Sequence, residues 1–285
     1  VKYYQPRLLG LRFPIDLDGY YEPGAKSVTQ PYRIEQFGAN INLRRELRKY
    51  TQLWLTGSYQ HVNIYGIEAS KQDEFKELQG ISIRRKVGIS LENDTRSNHF
   101  IPTGGSQTIL YTEFFGGILG GDHNFFKTTV SWSRFLQPQG STKLRTWAFR
   151  FKLGRAIPYS SGDFVPRLDR FFLGGASTIR GYTENTIGPK DANNDPEGGT
   201  ILGLANLEYR EGLFWKLGWS MFLDYGNIWL ENREVGFNSM RLSGGAGLQF
   251  FSPLGPIRLD YGRKLLVGDK GLTGGRLHLS ILYAF

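Results

Sequence analysis

Arg276-Leu277-His278-Leu279-Ser280-Ile281-Leu282-Tyr283-Ala284-Phe285 closes the chain on a period of two. Leu277, Leu279, Ile281, Tyr283 and Phe285 fall on one face, and His278, Ser280, Leu282 and Ala284 on the other. Successive side chains of a β-strand point to opposite faces, so this alternation reads as a strand with one apolar side. The same pattern recurs upstream. Ile257, Leu259 and Tyr261 alternate with Arg258, Asp260 and Gly262. Leu217, Trp219, Met221, Leu223 and Tyr225 alternate with Gly218, Ser220, Phe222, Asp224 and Gly226. Trp147, Phe149, Phe151 and Leu153 interleave with Ala148, Arg150, Lys152 and Gly154, and Phe37, Ala39, Ile41 and Leu43 with Gln36, Gly38, Asn40 and Asn42.

Twelve such segments are expected, near 11–20, 33–45, 51–63, 80–93, 106–115, 124–135, 143–155, 200–210, 217–229, 240–251, 256–266 and 276–285. A water-soluble sandwich also alternates. Three features favour a transmembrane barrel instead. The polar faces are rich in Gly and Ser beside their charges, aromatics recur near segment ends, and the segments approach the 9 to 11 residues that cross a bilayer. Composition agrees: Gly is 37 of 285 residues, about 13% against a usual ~7%, and aromatics reach 14%. No continuous apolar stretch approaches the ~20 residues of a membrane helix. The 35 Lys+Arg against 26 Asp+Glu give a formal +9, read as charge of the lumen and rim, because no basic block is long enough to suggest nucleic acid.

Connections alternate between short (137–140, 210–216, 252–255) and long (21–32, 64–79, 116–123, 156–199, 230–239, 267–275). Membrane barrels have short periplasmic turns and long outer loops, so the C-terminus is expected on the periplasmic side. Arg85 sits on the apolar face of its segment and is expected near the membrane edge, and Pro14 interrupts the first strand. The 156–199 connection is far longer than the rest. It carries Phe171-Phe172-Leu173-Gly174-Gly175-Ala176-Ser177-Thr178-Ile179-Arg180-Gly181-Tyr182, too apolar to remain solvated. Its natural place is back inside the barrel. By parity, Glu208 shares a face with Asn206 and Arg210, and Asp224 with Ser220 and Gly226, so both acids point inward.

Gly174 to Tyr182 resembles the long-loop motif of the BamA/TamA outer-membrane assembly superfamily, and Thr186-Ile187-Gly188-Pro189 follows as in that family. Further blocks agree: Gly198-Gly199 before a strand ending Asn206-Leu207-Glu208-Tyr209, then Phe222 to Trp229, then Ser252-Pro253-Leu254-Gly255-Pro256-Ile257. The turn from Asp94-Thr95-Arg96 to Phe100-Ile101-Pro102-Thr103-Gly104-Gly105 also fits. Residues 170–285 carry the specific blocks, whereas 1–90 match only as strand pattern.

The resemblance implies a single antiparallel transmembrane β-barrel domain over 1–285. These would be the last twelve of sixteen strands, with Val1 to Pro6 as the tail of the fourth, and with POTRA domains and the first strands outside the chain. A complete twelve-stranded relative is the alternative. The resemblance implies a loop folded into the lumen, with Gly174, Gly175, Ile179, Arg180, Gly181 and Tyr182 as its motif and Arg180 meeting Glu208 and Asp224. It also implies insertion and folding of outer-membrane proteins at a seam, one side of which is the strand bearing Leu277, Leu279, Ile281, Tyr283 and Phe285. Unfolded outer-membrane proteins, outer-membrane lipid and periplasmic or lipoprotein accessory subunits would be the partners. A secretion pore of the two-partner type, or a porin-like or surface-antigen barrel without insertase role, are the other readings.

Enzymatic and cofactor chemistry finds little support. There is no Cys, and His61, His99, His123 and His278 lack ligand spacing, so neither metal nor cofactor is expected. Asp191, Asn193, Asp195 and Glu197 recur like part of a calcium loop, but the required Gly is absent and Pro196 intrudes. The Gly174-Gly175 turn lacks the Lys of a phosphate cradle, and no nucleophile elbow is present.

Overall fold

The computed structural model describes residues 1–5, 14–26, 32–68, 79–139, 145–192, 194–230, 235–252, 255–267 and 274–281. The chain is all-β, with thirteen antiparallel strands following one another in chain order in one sheet. They are β1 (Lys2–Gln5), β2 (Ile15–Lys26), β3 (Arg33–Arg48), β4 (Thr51–Tyr65), β5 (Gly80–Asp94), β6 (Gly105–Phe115) and β7 (Phe125–Leu136). Then come β8 (Arg145–Pro158), β9 (Ile201–Gly212), β10 (Leu217–Trp229), β11 (Arg241–Ser252), β12 (Gly255–Val267) and β13 (Gly275–Ile281). Short 3-10 turns occupy Gly117–Leu119, Arg167–Asp169 and Phe237–Ser239.

Most expected segments coincide with strands to within a few residues. Lys2–Gln5, within the Val1 to Pro6 segment read as the tail of a preceding strand, forms its own strand beside the expected twelve, paired to Ile15–Asp18. The expected 21–32 loop is also shorter, since β2 continues to Lys26. Glu22-Pro23-Gly24 looks like a turn in sequence, but here it is absorbed as an irregularity in the β2·β3 ladder between Glu22 and Ala25. Proline lacks the N–H that a ladder needs, and a bulge is where a strand tolerates that loss. Arg85 donates from Nη1 to the Leu119 carbonyl in the β6–β7 connection, at the loop end of β5.

Two compact units divide the chain. One comprises Val1–Glu92, Leu110–Thr128 and Ala156–Asp169; the other comprises Asn93–Ile109, Thr129–Arg155 and Arg170–Phe285. In the first, Leu17, Tyr21, Phe37, Ile41, Ile81 and Ile89 are exposed on the outward face. Its opposite face is polar and cross-linked: Asn40 donates to Asp18 at 2.8 Å, Thr56 bonds Asn42 at 2.9 Å, and Ser58 donates to Asn40 at 2.6 Å. In the second, Met221, Leu223, Leu248, Leu259, Leu277, Leu279 and Ile281 are exposed while Ser220, Asp224, Ser243 and Asp260 are buried. A water-soluble sandwich has the reverse arrangement. Apolar outside and polar inside is what hydrocarbon surroundings demand of strands that bury their own backbone groups in a ladder.

At the end of β8, β9 and β10 near the short β9–β10 turn, aromatics gather. Trp147 lies 5.0 Å from Tyr209, and Tyr209 lies 5.7 Å from Trp219, centroid to centroid. The Tyr209 hydroxyl donates to Glu211, which also pairs with Arg145 at 2.9 Å. Rings with a greasy body and a polar tip, next to an ion pair, suit the boundary between lipid and water.

Candidate functional site

The connection from Tyr159 to Thr200 does not stand free. Phe171 and Gly199 exchange backbone hydrogen bonds at 2.8 and 2.9 Å, and the Ile187 N–H bonds the Leu173 carbonyl at 3.0 Å. Between these clasps the chain turns tightly: the Gly175 N–H reaches the Ile179 carbonyl at 3.2 Å, and the Gly174 N–H reaches the Thr178 hydroxyl at 2.9 Å. The turn presents Ile179 and Arg180, both buried, toward β9, β10 and β12. Gly181 has φ +88°, and a methyl group there would lie 2.9 Å from the Gly262 carbonyl on β12. Glycine faces glycine, so loop backbone lies directly against strand backbone.

Arg180 uses its whole guanidinium. Nε and Nη2 donate to the two oxygens of Asp224, each at 2.8 Å, and the Arg180 main-chain N–H adds a third bond to Asp224 at 3.0 Å. Nη1 donates to Glu208 at 2.6 Å and lies 3.5 Å from Asp260. The cation sits 3.5 Å above the Phe222 ring. Glu208 and Asp224 are fully buried, so a planar fork of donors is the group that satisfies both without moving. Burial alone would pull the guanidinium pKa down; the Asp224 and Glu208 carboxylates outweigh it, and Arg180 is held charged above its ordinary value.

Five further residues, Arg210, Arg258, Asn206, Arg150 and His278, extend the network. Arg210 Nε bonds the second oxygen of Glu208 at 2.6 Å, and Arg258 Nη2 bonds Glu208 at 2.9 Å and Asp260 at 3.1 Å. Asn206 donates to Asp224 at 2.8 Å and to the Thr178 carbonyl of the loop at 2.7 Å, while it accepts from Arg150. Arg150 also donates to the Ser177 carbonyl at 2.9 Å, and His278 on β13 accepts the Gly181 N–H through Nε2 at 2.9 Å. Arg258 and Asp260 already stood on the polar face of their strand in sequence, and His278 on that of its own. What tied them to Arg180 was the register of β9 to β13, which no local pattern carries.

The motif residues Gly174, Gly175, Ile179, Arg180, Gly181 and Tyr182 all lie in this buried turn. Leu277, Leu279 and Ile281 face outward from β13, opposite Tyr261, Leu259 and Ile257 of β12. Tyr283 and Phe285 lie outside the described residues. Asn193 of the acidic stretch lies outside the described residues; of its neighbours, Asp191 accepts the Asp195 N–H at 2.9 Å and Glu197 pairs with Arg170 at 2.9 Å. The Asp94 turn is closed by Arg96, which grips the Asp94 carboxylate through Nε and Nη2.

A family model for the Omp85 superfamily domain matches residues 1–285. The chain belongs to the Omp85 superfamily. Among curated proteins, this Omp85 chain is 30% identical over 252 residues to outer membrane protein assembly factor BamA of Nitratidesulfovibrio vulgaris, covering 86% of the chain. It is 26% identical over 262 residues to BamA of Neorickettsia risticii, covering 87%. It spans 31% and 34% of the length of those relatives, about a third. Among solved structures, BamA from Haemophilus ducreyi lacking POTRA domains 1-3 superposes with a TM-score of 0.79 at 17% identity, over 97% of this chain and 60% of that one. CdiB from Acinetobacter baumannii gives 0.55 at 14% identity, over 94% and 46%. At those identities the likeness is one of fold.

Proposed function

We propose that these residues are the barrel part of an outer-membrane protein assembly factor, which inserts and folds β-barrel proteins in the bacterial outer membrane through a lateral seam. The observation that carries this reading is the docked loop. Arg180 is bonded to acids of β9 and β10 and buried beneath its own turn, which supports a loop docked on those strands rather than held clear of them. The curated relatives named as assembly factors support the same reading.

The physical task is narrow. A strand entering lipid must keep its backbone N–H and C=O groups paired, because hydrocarbon offers them no partner. An exposed strand edge supplies those partners by strand addition. The β13 strand, with Leu277, Leu279 and Ile281 facing outward, would form one side of that edge, and its C-terminal end would lie on the periplasmic side. The partners would be unfolded outer-membrane proteins, the surrounding lipid, and periplasmic or lipoprotein accessory subunits. No covalent bond is made or broken, so the proposed activity is not enzymatic.

The test is folding of a urea-unfolded outer-membrane barrel protein into phospholipid vesicles that hold the full-length natural protein. Acceleration of client folding over empty vesicles is expected, and its absence would overturn the reading. A protein-translocation pore is the alternative. It requires an interior that clears, so large steady single-channel conductance in planar bilayers, together with no folding acceleration, would favour it.

A further inference from the structure

The long loop carries a second buried charge that the Arg180 network does not use. Asp169 closes the 3-10 turn Arg167–Asp169, where its N–H bonds the Pro166 carbonyl at 2.8 Å. Its carboxylate accepts from the Arg84 guanidinium of β5. Its main-chain carbonyl accepts from the Lys127 ammonium of β7 at 2.7 Å. Beside them Lys86 of β5 pairs with Glu113 of β6 at 2.7 Å, and Tyr111 donates to the same carboxylate at 2.9 Å. Arg84, Lys86 and Lys127 thus bring three cations to one face, where Glu113 is the strand carboxylate and Asp169 the carboxylate that the loop adds. One residue earlier, Leu168 packs on the buried cluster Tyr32, Val62 and Ile64.

We propose that Asp169 is a positioning residue. It anchors the start of the long loop on the β5 to β7 face, independently of the anchor that Arg180 makes on β9, β10 and β12. Like charges gathered on a low-dielectric face repel, and a carboxylate from the loop relieves that repulsion only while the loop is docked. Leu168 adds the apolar half of the same contact. The Arg180 anchor uses buried ion pairs and the Asp169 anchor a partly buried one, and the two share no residue. Each is therefore lost separately when its own charge is removed. This inference holds whatever protein the barrel handles.

The experiment uses the full-length protein in its membrane. These 285 residues contain no cysteine, so a single introduced thiol is unique among them. Val165→Cys reports on the loop start and Ile179→Cys on the Arg180 turn, both positions being buried. In an Asp169→Asn background, maleimide labelling at position 165 is expected to rise at least tenfold while labelling at 179 changes less than twofold. Arg84→Met, which leaves the loop sequence intact, is expected to do the same and provides the answer should Asp169→Asn fail to fold. The double variant is expected to label no faster than either single one, because both remove one interaction. Unchanged labelling at 165 in both single variants, or a parallel rise at 165 and 179, would overturn the proposal.

Discussion

Replacing Arg180 by alanine removes two bonds to Asp224 and one to Glu208, at 2.8, 2.8 and 2.6 Å. The two acids do not suffer equally. Glu208 keeps Arg210 and Arg258, whereas among the described residues Asp224 keeps two neutral donors, the Asn206 amide and the main-chain N–H of residue 180. A fully buried carboxylate is thereby stripped of its cation, and breaking a buried pair from one side costs about 3 to 5 kcal/mol. With a urea slope of about 3 kcal/mol/M, that is a midpoint lowered by about 1 to 1.7 M. Arg180→Lys keeps the charge but loses the fork, so it reaches one acid well and costs an intermediate amount, about 1 to 3 kcal/mol. The assay is urea unfolding of the barrel in vesicles, followed by the shift of folded protein on an unheated gel. An Arg180→Ala midpoint equal to that of the unsubstituted protein would refute the argument that this pair is buried and structural. So would an Arg180→Lys midpoint as low as that of the alanine variant.

Gly181→Ala places a methyl group 2.9 Å from the Gly262 carbonyl at a φ of +88°, and should cost about 2 to 4 kcal/mol by strain and displacement, read in the same unfolding assay. Leu248→Arg tests the outward face: Leu248 is 60% exposed, a position nearly neutral in water. In a bilayer an arginine there should destabilise by up to about 2 to 4 kcal/mol, depending on depth, so equal stability in vesicles would contradict a lipid-facing β11. Together with the vesicle-folding and thiol-labelling experiments above, these separate the loop, the membrane face and the activity.

Strands were legible because period two survives along almost the whole chain, and because a residue's parity tells which face it joins. That same parity put Glu208 and Asp224 on the face where they are found, and the loop motif pointed to Arg180. The departures have local causes. Pro23 and Gly24 signal a turn in sequence, but a bulge absorbs them. Arg258 and Asp260 needed the β9 to β12 register: Glu208 faces Phe222, Phe222 faces Gly245, and Gly245 faces Gly262. That registry lines up small residues beside the acids and makes room for the guanidinium. Asp169 escaped notice because Arg84, Lys86 and Lys127 look like scattered solvated charges until neighbouring strands bring them to one face.

Parity places one class of residue correctly without explaining its chemistry. Val62 and Ile64 fall on the otherwise polar, buried face of β4, and Ile228 on that of β10, and all three are apolar. Val62 and Ile64 lie against Leu168, and Ile228 lies so close to Gly188 that no side chain fits there. Where the loop rests, the strands offer these apolar patches beside the charged partners of Arg180 and Asp169. This makes docking a matter of timing. Strands that paired before the loop arrived would hold these patches bare against water, ready to seize any apolar segment passing by. A loop that arrived with the strands would be the first guest of the wall it later keeps others from occupying.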